Sequence, residues 1–194
     1  MNKKEKLKIG IDLDDTLWEY QLVFLNFYNK KFKTNYSLKE FSVYSLEEFL
    51  NLSNEEVVSL LDEFGSHPGF MNLPLIEGAK ETIHELKKKH ELFFITARPP
   101  SRKELTQEFF LNHFGLKEKI YFLGGASSSN LKTKGEMGNF LGIDLMIDDH
   151  LTNLKSCLNY GIPSFLMDRP WNKEEEIRGI KRVKNWREIL ELIK

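Results

Sequence analysis

The spacing of apolar residues changes twice along this chain and divides it into three stretches. Leu7, Ile9 and Ile11 alternate with Lys8 and Gly10, a period of two that predicts a short strand. From about Trp18 to Leu73 apolar positions recur every three or four residues, as in Leu22, Leu25, Tyr28 and Phe32, which predicts helices. Ser37 with Glu40, Ser45 with Glu48 and Ser53 with Glu56 have the spacing of capping boxes, so each is expected to start a helix. Val57, Val58, Leu61 and Phe64 make a further helical stripe; Gly65, Pro68 and Gly69 break it, and Pro74 closes the stretch.

From Ile76 onward helices and strands alternate. Ala79, Ile83 and Leu86 share a helical face, and Leu92 to Thr96 is a nearly all-apolar strand of the kind covered on both faces. Phe109, Phe110 and Phe114 lie on the next helix, ended by Gly115, before a third strand at Ile120 to Leu123. Phe140 and Leu141 precede Gly142 at another helix end. Leu145-Met146-Ile147 is the fourth strand, Ile162 to Met167 the fifth, and Trp186 to Ile193 a closing helix. This order predicts an α/β fold: a Rossmann-like parallel sheet with helices on both faces. Residues 1–17 and 75–194 are expected to form the core, and 18–74 a small helical cap inserted after strand one.

Composition narrows the partners. A net charge of -1 with interspersed signs leaves no electrostatic footprint for polymeric nucleic acid or an anionic membrane. The basic start, Lys3, Lys4, Lys6 and Lys8, reads as a solvated terminus, and Asp12, Asp14 and Asp15 interrupt any signal-peptide core. No apolar run approaches the roughly 20 residues of a membrane span. The single Cys157, on a helical stripe with Leu154 and Leu158, reads as core and excludes an internal disulfide; a cytoplasmic setting is expected. The histidines lack metal-ligand spacing, and His150 is the one near the later acids. Gly124 to Asn130 is a flexible loop, a phosphate cradle or a plain connector.

The chemistry concentrates at strand ends. Asp12-Leu13-Asp14-Asp15-Thr16-Leu17 places three carboxylates where the first strand becomes a loop, the usual ligand edge of an open α/β sheet. Such crowding calls for a hard divalent cation, and Mg2+ suits carboxylate and phosphate oxygens together. Thr96 ends the second strand, Asp148 and Asp149 the fourth, and Lys134 stands at helical spacing ahead of Met137, Phe140 and Leu141. These are the parts of phosphoryl transfer through an aspartyl intermediate. A carboxylate attacks, a second acid handles the leaving-group proton, and a hydroxyl and an ammonium hold the equatorial oxygens.

In this order the four segments resemble the motifs of the haloacid dehalogenase superfamily of phosphohydrolases. The resemblance implies Asp12 as nucleophile and Asp14 as general acid/base, with Thr96 and Lys134 (Lys132 the alternative) completing the catalytic set. It implies Mg2+ held by the side chains of Asp12 and Asp148 and the backbone carbonyl of Asp14, with Asp149 as an orienter and Asp15 as a loop-capping or solvent-facing residue. Dehalogenases lack the second aspartate, so Asp14 favours phosphate esters. A narrower resemblance is to the 5'(3')-deoxyribonucleotidase, or cytosolic type C 5'-nucleotidase, branch. It rests on Trp18 and Tyr20 after the first motif, Pro74-Leu75-Ile76-Glu77-Gly78-Ala79, Thr96-Ala97-Arg98-Pro99, Arg169-Pro170-Trp171-Asn172 and Arg182-Val183-Lys184-Asn185-Trp186. It implies substrate contacts from Trp18, Tyr20, Ala97 and Arg98. Tyr20 would stack on a base or simply fill the cap core; Arg98 would bind phosphate or ribose or form a salt bridge.

The expected substrate is therefore a small phosphomonoester, a (deoxy)nucleoside monophosphate first. A sugar-phosphate or phosphoglycolate phosphatase and a non-catalytic binding protein are the competing readings. Oligomeric state is left open, a homodimer included.

Overall fold

A computed structural model describes residues 6–124, 131–173 and 177–193. Its six strands are β1 (Lys8–Ile11), β2 (Glu91–Thr96), β3 (Ile120–Phe122), β4 (Leu145–Asp148), β5 (Ser164–Met167) and β6 (Ile180–Val183). They form one parallel sheet in the order β3-β2-β1-β4-β5-β6. The order reverses at β1, so the crevice beyond the carboxyl ends of β1, β2 and β4 is a topological switch point, where ligands bind in such sheets.

Among the described residues, eight α-helices flank or follow these strands: α1 (Tyr20–Phe32), α2 (Leu46–Leu50), α3 (Asn54–Gly65), α4 (Ala79–Lys89), α5 (Lys103–Phe114), α6 (Lys134–Leu141), α7 (Leu151–Leu158) and α8 (Trp186–Ile193). The first three lie between β1 and β2, with no strand among them, as the helical periodicity predicts. β1 is almost wholly buried and pairs with β2 on one side and β4 on the other, so the acids at its end sit mid-sheet. Two apolar cores result. The larger joins one face of the sheet to the helices after β1 through Ile9, Ile11, Phe24, Phe64 and Trp186. The smaller, around Met146, Leu154 and Cys157, fills the opposite face, and Cys157 is a free, buried thiol there.

Several local expectations are corrected. Ser53 and Glu56 do close a capping box at α3, and Ser45 accepts from the Glu48 amide at α2. Ser37 starts no helix: its amide and hydroxyl both donate to Glu40, at 2.7 Å each, and the chain turns at once. Phe32 and Phe140 are exposed, because α1 and α6 turn other residues inward, Phe24 and Tyr28 in one and Met137 in the other. The fifth strand begins at Ser164, after Pro163, which lacks a ladder donor. The sixth strand was not expected; Lys181 and Arg182 interrupt its apolar pattern at the sheet edge, where charge is tolerated. Residues 125–130 of the flexible loop lie outside the described residues.

Candidate active site

The first acid loop is held at both ends. The Asp12 amide donates to the Ile147 carbonyl at 2.9 Å, extending the β1–β4 pairing by one residue. Asp15 adopts a φ of 55°, and its amide returns to the Trp18 carbonyl at 2.8 Å. Its carboxylate accepts from the Gln21 amide at 3.1 and 3.2 Å, so Asp15 caps the start of α1. From far along the chain, the Trp186 indole donates to the Thr16 carbonyl at 2.8 Å and Arg169 Nε to the Asp15 carbonyl at 2.8 Å.

Lys134 enters from the first turn of α6. Thr133 and Glu136 form a full capping box there, which aims the lysine at the sheet rather than at solvent. Its buried Nζ donates to Asp12 and, at 2.6 Å, to Asp148 Oδ2. Burial opposes its charge, but the two carboxylates outweigh that and raise its pKa. Lys132 is exposed, and its backbone amide donates to Glu136 at 2.8 Å.

The acids are buried together. Burial pushes the Asp12 carboxyl up to about 7 against the pull of Lys134. Burial, then the neighbouring Asp148, raises Asp149 well above the carboxylate range. Asp12, Asp148 and Asp149 each present a carboxylate oxygen, all within 4.8 Å of one another. This buried, all-oxygen, anionic set suits a hard divalent cation. Asp149 thus stands inside the cluster beside the expected Asp12 and Asp148, while the Asp14 carboxylate turns elsewhere. Asp148 is oriented by the His150 amide at 2.8 Å and Asn153 Nδ2 at 3.2 Å, and Asp149 by the Trp171 indole at 2.9 Å.

Asp14 is gripped by three donors: Trp18 Nε1 at 2.7 Å, Arg98 Nε at 2.8 Å and Arg98 NH2 at 2.6 Å. Arg98 also donates to Thr106 Oγ1 at 3.1 Å and lies 4.5 Å from the Phe70 ring centre. Burial opposes its charge, and Asp14 restores it. Of the alternatives weighed for Arg98, the structure shows the salt bridge.

Asp12, Asp14, Tyr20, Thr96, Ala97, Arg98 and Lys134 line one cavity of about 680 Å³ between the sheet end and α3. Trp18 is not brought to it; the ring is buried edge-on against Phe109 and serves Asp14 instead. Tyr20 faces the cavity while packing edge-on against Phe64 at 5.4 Å. Sequence reasoning did not single out Gln21, Tyr44 or Asn153, which also line it. Asn153, on the helix that follows Asp148 and Asp149, was recoverable from its spacing; Tyr44 carries no such signal.

A doubly open parallel sheet with this acid cluster at its switch point defines the haloacid dehalogenase class of fold. Protein SP0104 of Streptococcus pneumoniae, a haloacid dehalogenase-like hydrolase, superposes with a TM-score of 0.72 over 97% of this chain and 99% of its own, at 16% identity. YfnB of Bacillus subtilis, a hydrolase of the same class solved bound to magnesium, has a TM-score of 0.64 over 98% and 100%, at 18% identity. Within that class the family profile described as 5' nucleotidase, deoxy (pyrimidine), cytosolic type C protein matches residues 6–194, and the chain belongs to this family. It is a phosphomonoester hydrolase of the 5'-nucleotidase type. YqfW of Bacillus subtilis, provisionally named a nucleotidase, is 30% identical over 95% of this chain and 92% of its own length. The 5'(3')-deoxyribonucleotidase of the same organism is 36% identical over 62% of each chain.

Proposed function

We propose that this chain is a Mg2+-dependent nucleotidase that hydrolyses (deoxy)nucleoside monophosphates through an aspartyl-phosphate on Asp12. The observation that carries the reading is one cavity lined by two unlike groups of side chains. The first is Asp12 and Asp149 with Lys134; the second is Tyr20, Phe70 and Val57. A phosphate fits the first chemistry and a flat heterocycle the second. Ala97 and Tyr20, which line the same cavity, would contact the substrate.

In the first half-reaction an Asp12 carboxylate oxygen attacks phosphorus and the ester P–O bond breaks. Asp14 gives its proton to the departing nucleoside oxygen. In the second, Asp14 takes a proton from water, whose oxygen attacks phosphorus; the acyl-phosphate bond breaks and Asp12 is regenerated. For either step Asp14 must turn from Arg98 and Trp18 toward the ester oxygen. Lys134 and the Thr96 hydroxyl, at the strand end, hold equatorial phosphate oxygens as charge develops. A Mg2+ held by Asp12, Asp148 and Asp149, with the Asp14 carbonyl, would screen the repulsion between carboxylate and phosphate.

Residues 18–74 act in this reading as a cap, with Asp62 on α3 bonded to Arg102 at the core side of the cavity, 3.3 Å away. Closing it would exclude water and complete the base contacts. The enzyme would work in the cytoplasm on soluble nucleotides. Released phosphate is to be measured across nucleoside monophosphates, sugar phosphates and phosphoglycolate, with and without Mg2+. Mg2+-dependent preference for nucleotides supports the reading. Preference for sugar phosphates, or ligand binding with no phosphate release, replaces it.

A further inference from the structure

The cavity wall carries a polar group that the chemistry above does not use. Gln21 is only 7% exposed, on the first turn of α1, next to Tyr20. Its backbone amide is spent on Asp15, which pins its Cα beside the acid loop. Its carboxamide, by contrast, makes no hydrogen bond to any described residue, and neither end of it is sealed from solvent. A lining residue with both properties opens its amide to the cavity. Burying an amide without a partner is unfavourable, and an apolar side chain would suit the same helical face better.

Several other polar groups on the wall are already committed. Ser45 donates to Glu47, Asn153 to Asp148, Arg98 to Asp14 and Arg102 to Asp62. The Gln21 carboxamide is thus available to a ligand, with one donor and one acceptor side by side. We propose that Gln21 is a specificity-determining residue that pairs with the polar edge of the substrate's heterocycle. The complementary partner is a ring with adjacent carbonyl and N–H groups, as in a pyrimidine imide or a purine lactam. This rests on the nucleotidase reading above and deepens it. A site built to pair with such an edge discriminates strongly against ligands lacking it, because the amide is then left unpaired.

The test compares kcat/KM for uridine, thymidine and guanosine 5'-monophosphates with that for ribose 5-phosphate, in the wild-type enzyme and in Gln21→Leu and Gln21→Met. The two variants keep the side chain's bulk, and whichever retains wild-type circular dichroism is scored. The nucleotide-to-ribose-phosphate ratio is expected to fall by about tenfold or more, as loss of a paired hydrogen bond implies. A ratio that stays put overturns the proposal, whether both rates drop together or neither moves. A wild-type enzyme that turns over ribose 5-phosphate and refuses all three nucleotides overturns both the nucleotidase reading and this one.

Discussion

Asp14 meets two demands that pull against each other. A proton carrier must change its charge, yet here the carboxylate accepts from both arms of a buried guanidinium and from an indole. Such a bidentate grip is charge-assisted and geometrically specific. The pair ties Asp14 to the core, and in the proposed reaction substrate would have to draw it away. Arg98→Ala leaves that carboxylate and the Phe70 ring without their cation, and is expected to cost about 2–4 kcal/mol in urea unfolding. Asp12→Asn is the complementary case. It removes the proposed nucleophile while keeping the size of the side chain, so phosphate release should fall to background with the circular dichroism spectrum retained. Full activity in that variant would mean another residue attacks.

At the scale of single elements, α6 decides where the ammonium goes. Its capping box and the close approach of Gly135 to α7 set its position. A Cβ on Gly135 would lie 2.2 Å from the Ser156 carbonyl oxygen, whose residue also receives the Gly135 amide on its hydroxyl at 3.0 Å. Gly135→Ala should push α6 outward, costing about 1–3 kcal/mol and lowering kcat through displacement of Lys134. Thr133→Ala should cost about 1 kcal/mol by leaving helix-end amides unpaired. Denaturant titration with parallel kinetics reads both. These elements also show what was legible from the residues alone. β2 and β4 announce themselves as apolar runs and β1 as an alternation, so these strands and the polar residues at their ends, Asp12, Thr96 and Asp148, are found in order. β6 carries two charges in four residues because edge position excuses them, and periodicity cannot see position in a sheet. The Ser37 motif failed for a related reason: a hydroxyl and a glutamate three apart satisfy a turn as readily as a helix. Trp18 was placed on the substrate by resemblance, whereas its fate depended on a partner 84 residues from Asp14, Arg98, that fills the space beside it.

The whole molecule gathers buried like charges and leaves them to be balanced by Lys134 and whatever cation binds. In the metal-free protein Asp12 titrates near about 7, above its ordinary 3.8. A raised acid contributes stability that is full below its unfolded value and lost as pH climbs through the folded one. Asp15 and Asp149 are raised by burial too and act with the same sign. The bare fold should therefore weaken from about pH 4 to about pH 7, where ionised acids bind cations best. Added Mg2+ should raise the melting temperature more at about pH 8 than at about pH 5. Equal gains at the two pH values would remove the acid cluster as the binding site.

The hydrogen bond from the Trp186 indole to the Thr16 carbonyl spans 170 positions. On the ribosome, the loop that holds Thr16 is made 170 positions ahead of its fastener. A nascent chain carrying every proposed reacting group, from Asp12 to Asp149, would still lack that anchor. Competence then waits for Trp186, which under the proposed function would keep chains without it from hydrolysing nucleotides.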